Sequence, residues 1–154
     1  MTTAVDSDPI EENDQVDYKL ELVVVPVSDV DRAKAFYLDQ CGFDLIVDHT
    51  AGDFRIVQLN PRGSSCAIAM MKTSPMAPGS LHGLHLVVND LAAAHAELVG
   101  RGVAVSEPYH FDVAGQSTPG IHPNHADYAT FMDLRDPDGN TWLVQEVGFM
   151  AATG

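Results

Sequence analysis

The chain has 154 residues, 45% of them hydrophobic and 19% charged, enough for one filled core and too few for two ordinary domains. A formal net charge of −14, with only eight Lys and Arg scattered along the chain, excludes nucleic acid as an expected partner, because phosphate binding needs clustered cations. No apolar run approaches the ~18 residues of a membrane helix, and the acidic start lacks the plan of a secretory signal, so a soluble cytoplasmic protein without a membrane partner is expected.

Residues 1–17 hold six acidic residues, no basic one and almost no aliphatic pattern, and are expected to form a disordered tail. An apolar strand follows in "LELVVVPV" (20–27). Asp29 of Val-Ser-Asp is a good N-cap for a helix in which Val30, Ala33, Phe36 and Tyr37 share one face, and Gly42 is its stop signal. Strands are expected over 43–49, 53–59 and 65–71, separated by "TAG" and "NPRGS". "TSPMAPGS" (73–80) reads as a linker.

The plan then repeats. "HGLHLVV" (82–88) is an apolar strand, and Asp90 of Val-Asn-Asp caps a helix that aligns Leu91, Ala94, His95 and Leu98 and stops at Gly102. Asp29 and Asp90 stand at equivalent points of the two copies. Strands are expected at 103–108, 127–134 and 141–147, the last two joined as a hairpin by "RDPDGN" (135–140). "YHFDVAGQSTPGIHPNHA" (109–126), rich in Gly, Pro and His, breaks the match and reads as a flap. Cys41 and Cys66 are expected as reduced thiols, since two cysteines with no basic neighbour build neither a disulfide framework nor an obvious nucleophile.

"VVVPVSDVDRAKAFYLDQCGF", "GLHLVVNDLAAAHAELVGRGV" and "DLRDPDGNTWLVQEV" together resemble the vicinal oxygen chelate superfamily, the glyoxalase, bleomycin-resistance and extradiol-dioxygenase group. The resemblance covers about residues 19–148. It implies an α+β fold of two βαβββ modules whose mixed sheets curl around a cavity, within one domain over 18–149: module one 18–72, linker 73–80, and module two 81–149 with the flap at 109–126. It also implies a homodimer, because halves in this superfamily often pair across two chains.

The enzymes of that superfamily hold one divalent metal with ligands from the first and last strands of each module. Carried over by position, these places fall on Leu22, Ala69 and Gly83, none of which is a ligand, and on Glu146. Strand parity puts His85 on the face of Gly83 and turns His82 toward the helix. A metal would therefore rest on Glu146 and His85, with His110, His122 or His125 of the flap as a third partner. No metal or other cofactor is the preferred expectation.

The same parity directs Leu22, Val24, Pro26, Ala67, Ala69, Met71, Gly83, His85, Val87, Trp142, Val144 and Glu146 inward. From this set Leu22, Val24, Met71, Gly83 and Trp142 are the candidate ligand contacts, with Trp142 offering a face for a planar ring. His85 and Glu146 are the candidate catalytic groups. Glu146 reads either as a solvated strand end or as the polar group of an apolar pocket. The expected function is binding of a small organic molecule, as in the resistance proteins. The alternatives are a metal-dependent lyase, isomerase or dioxygenase, and a metal-free enzyme using His85 or Glu146 as general base. Whether the protein is an enzyme stays open at this level.

Overall fold

The computed structural model describes residues 15–151. Most of the expected acidic tail lies outside them. The first module comprises β1 (Leu22–Val24), α1 (Val30–Ala35), a π turn (Phe36–Gln40), β2 (Asp44–Ala51), β3 (Phe54–Asn60) and β4 (Ala67–Met71). The second comprises β5 (His82–Val88), α2 (Leu91–Gly100), β6 (Tyr109–Phe111), β7 (Ser117–Pro119), β8 (Thr130–Arg135) and β9 (Thr141–Glu146). Their sheets run β1-β4-β3-β2 and β5-β9-β8-β6-β7, with β1 parallel to β4 and β5 parallel to β9. The fold is α+β, two mixed sheets curled and left open, as the repeated plan implies.

The helix limits follow local chemistry. The Asp29 side chain accepts the Arg32 N–H, and Asp90 accepts that of Ala93, so each helix has a capped start. At the other end the chain from α1 widens into the π turn, where the Cys41 N–H reaches the Phe36 carbonyl at 2.9 Å. Gly42 adopts φ +76° and lets the Phe43 N–H return to the Tyr37 carbonyl. That left-handed residue is the one a helix stop requires.

Two details depart from the sequence reading. Residues 103–108 form no strand and contribute only the bridge Val105–Leu134. The stretch expected as an irregular flap instead carries the β6–β7 hairpin, with Tyr109 paired to Pro119 and Phe111 to Ser117, which widens the second sheet to five strands. Gly and Pro in that stretch mark the turns of a hairpin rather than the absence of structure.

Both sheets turn one face toward helices, and those faces meet in a single core. Val25, Val57, Ile68 and Met70 from the first module join Leu91, Met132, Leu134, Trp142 and Val144 from the second, all at most 4% exposed. Each such side chain contributes about 1.5–3 kcal/mol by leaving water. A polar seam closes the junction. The Tyr37 hydroxyl donates to Asp136 Oδ2 at 2.8 Å and accepts from Trp142 Nε1 at 3.1 Å, and Asn140 Nδ2 donates to the Pro26 carbonyl at 2.8 Å. The "DPDGN" turn thus ties module two to module one. Burial and the neighbouring Asp136 carboxylate push the Tyr37 phenol far above its ordinary range, so it remains a donor.

Candidate functional site

The faces turned away from the helices are open, and strand register decides what they carry. Cross-strand partners lie on the same side of a sheet. In the first module Leu22 faces Ala67, Val24 faces Ala69 beside Gln58, and Met71 faces Ile56. Leu22, Val24, Ala67, Ala69 and Met71 therefore share the side of the sheet opposite Ile68 and Met70, with Ala67 and Ala69 buried on it.

In the second module the register redistributes the predicted site. β5 pairs with β9 so that His85 is opposite Leu143, Val87 opposite Gln145, and Leu84, Leu86 and Val88 opposite Trp142, Val144 and Glu146. His85 and Val87 lie on the open face. Trp142, Val144 and Glu146 lie on the helix face, so the common inward set containing His85 and Glu146 does not form. The reason is the stagger between two parallel strands, which alternation within either strand does not reveal. A shift in pairing between His82 and Leu84 adds to this, for Gly83 stands in a bulge at φ +139°. The bulge also places His82 opposite Thr141, on the open face rather than toward the helix, with its Nδ1 2.8 Å from Thr141 Oγ1.

Trp142 is 4% exposed. Its ring lies against Tyr37 and Phe43, at centroid distances of 5.8 and 5.9 Å. It belongs to the core, and plain packing replaces the expected stacking surface.

Glu146 is entirely buried. Its Oε2 accepts the Leu91 N–H at 2.9 Å, at the start of α2, where a carboxylate meets the positive end of the helix. Its Oε1 lies 2.8 Å from His125 Nδ1. It is thus neither a solvated strand end nor a pocket group, and both oxygens are occupied.

The flap histidines are buried or half-buried. His110 is buried, with Nδ1 2.8 Å from the Gly120 carbonyl oxygen, and its ring meets that of His122. His122 and His125 are half-buried.

These placements bear on the superfamily's metal. Leu22, Ala69 and Gly83 offer no donor, Glu146 points into the helix layer, and His85 has no acidic or imidazole companion across the strand. Among the described residues no three His, Cys, Asp or Glu side chains converge. The residues present do not fit a divalent ion, which needs about three or more protein ligands.

The open face holds residues that alternation within single strands passes over. One row crosses four strands from Val87 through Gln145 and Phe131 to Tyr109. Ring centroids of Tyr109, Phe111 and Phe131 lie 5.7–6.1 Å apart, and Phe111 is 49% exposed. The Tyr109 hydroxyl donates to Asp133 Oδ1 at 3.0 Å. Partial burial and that carboxylate push the phenol up to about 12. The signal was present in "YHF" and "TFMDL", but only the pairing of β6 with β8 makes one surface of them.

Residues 19–144 match the sequence profile of the Glyoxalase/Bleomycin resistance protein/Dioxygenase superfamily. The chain belongs to this superfamily. TnmS3, an antibiotic binding protein from Streptomyces sp. CB03234, is similar in structure: 32% identical, with 86% of this chain and 98% of that one covered and a TM-score of 0.68. A glyoxalase/bleomycin resistance protein from the same Streptomyces is 33% identical over 83% of this chain and all of its own, with a TM-score of 0.65. YetH of Bacillus subtilis (strain 168), an uncharacterized protein, is 27% identical over 130 residues, covering 80% of this chain and 94% of that one. Among the described residues no helix is long and apolar enough to cross a membrane.

Proposed function

We propose that this superfamily member binds a small organic molecule with an apolar or aromatic body on the open faces of its sheets, without the metal its enzyme relatives use. The observation that carries the proposal is the half-exposed cluster of Tyr109, Phe111 and Phe131 on a sheet face free of helices. Aromatic rings at such spacing offer a flat apolar floor, and Gln145, His85 and the Tyr109–Asp133 pair supply polar groups at its edge. The antibiotic-binding relative TnmS3 supports the same reading. Leu22, Val24 and Met71 form the corresponding apolar surface of the first sheet, and a cytoplasmic homodimer would bring open faces of two copies together around the ligand.

The test is isothermal titration of the full chain with a panel of aromatic antibiotics and metabolites, beside Phe131→Ser. Saturable binding by the wild type, weakened about tenfold or more in the variant, is the expected result. Absence of any saturable ligand, or identical affinity in the variant, would overturn the assignment.

A further inference from the structure

The molecule has a second hollow, which meets the open face of the second sheet at His85 and Val87 on the edge strand β5. A cleft of about 410 Å³ lies where the free edge of β5 and α2 approach the 61–64 turn of the first module. Its floor is apolar and belongs to the shared core: Phe43, Leu98, Met132 and Val144 line it, all at most 9% exposed. Its volume is in the ordinary range for a small-molecule site, about 300–1,000 Å³.

The mouth differs from the rest of this acidic chain. Arg62 and Glu97 stand there, and Arg101 joins Glu97 from one turn further along the chain. A methyl group placed on Gly42 would lie 2.5 Å from Arg101 Nη1 and 3.6 Å from Arg62 Nη1, so two guanidinium groups crowd over one glycine. Both share the single carboxylate oxygen Oε2 of Glu97, each at 3.4 Å. Charge-assisted pairs close to about 2.7–2.9 Å when well made. These are long, exposed pairs of little strength, and two cations against one anion leave a positive excess. Arg62, with its side chain 62% exposed, is free to turn its planar fork toward a second carboxylate. Two other ionisable groups line the cleft, His85 of β5 and Cys41; burial and Asp136 push the Cys41 thiol up to about 12, so it stays neutral and does not repel an anion.

We propose that this intermodule cleft is a binding site for a small amphipathic carboxylate, its apolar body between α2 and Phe43 and its carboxylate on Arg62. Tyr109, Phe111 and Phe131 do not line this cleft, and the two sites meet only along β5, where His85 and Val87 border both.

The experiment uses 1-naphthoate and its neutral counterpart 1-naphthalenemethanol as probes on the full-length protein, followed by calorimetry and by amide shifts in 15N spectra. Naphthoate is expected to bind saturably, to move the amides of Gly42, Gly63 and Ser64, and to bind about tenfold more tightly than the alcohol. Arg62→Gln, a surface change that leaves the core intact, should remove that preference. Ala94→Leu, which narrows the cleft from the α2 side, should weaken both probes. Naphthoate that fails to bind, binds no better than the alcohol, is indifferent to Arg62→Gln, or shifts only amides of Tyr109, Phe131 and Leu143 would overturn the proposal.

Discussion

Nδ1 of His125 lies 2.8 Å from Oε1 of Glu146, and the His125 ring stacks on Phe149 at 3.6 Å with the planes 10° apart. His125 holds φ +49°, an uncommon value for a residue with a side chain. The pair fastens the 121–128 segment to the end of β9, while the second oxygen of Glu146 fastens α2 and the Glu146 carbonyl accepts the Tyr128 N–H. One buried carboxylate thus joins three pieces of the second module.

Glu146→Leu leaves the Leu91 N–H and the His125 ring without their partner and should cost about 3 kcal/mol. Glu146→Gln keeps an acceptor for Leu91 and should cost about 1 kcal/mol. Urea unfolding of both variants checks this, and a leucine variant within about 0.5 kcal/mol of wild type would rule out this fastening role of Glu146.

The seam between the modules predicts a second effect. Asp136 is 3% exposed and accepts from Tyr37, from Asn140 Nδ2 and from the N–H groups of Asp138 and Asn140. Asp136→Ala should lower stability by about 3 kcal/mol, with Trp142 fluorescence shifting as water reaches the Tyr37 hydroxyl. An unshifted emission spectrum would mean that the aromatic cluster holds without its polar partner.

Tyr109 gives a prediction with a definite sign. Its pKa, raised to about 12 by partial burial and by the Asp133 hydrogen bond, exceeds the value near 10 of an unfolded tyrosine. The folded protein therefore keeps a proton that the unfolded chain releases. The stability this contributes is complete below about pH 10 and is lost as pH rises through about 12. Tyr37 is held protonated to still higher pH, so a phenolate absorbance titration should show a distinct step near 12 that moves toward 10 in Asp133→Asn and disappears in Tyr109→Phe. Superimposable wild-type and Asp133→Asn curves would refute it.

Metal retention follows from the missing donors. After exposure to zinc, nickel, manganese or ferrous iron and desalting, the protein should hold far less than one ion per chain by elemental analysis, and Glu146→Gln should behave alike. Near-stoichiometric metal, lost in that variant, would mean that His125 and Glu146 rearrange to bind it.

Gly83 supplies a purely backbone test. A Cβ there would meet no atom within 4 Å, yet φ is +139°. Gly83→Ala should therefore lose about 1 kcal/mol or more through conformation alone, measured by thermal or urea unfolding. No loss would imply that the bulge relaxes and β5 re-pairs with β9.

The sequence by itself determined what depends on neighbours along the chain. Asp29 and Asp90 cap helices within three residues, Gly42 stops one through its own φ, and "RDPDGN" closes the β8–β9 hairpin, so the duplicated plan and the superfamily were legible. Which residues of β1 and β4 share a side was legible too, because the two strands pair without a bulge. Only the tertiary structure decided which side of β9 meets the helices. Trp142 and Glu146 obey alternation perfectly well, but the stagger against β5 and the Gly83 bulge set which face is inward. Glu146 finds its partners at Leu91 and His125, 55 and 21 positions away. A strand's periodicity states that two faces exist; the contacts that choose between them lie far along the chain, where single-strand patterns carry no information.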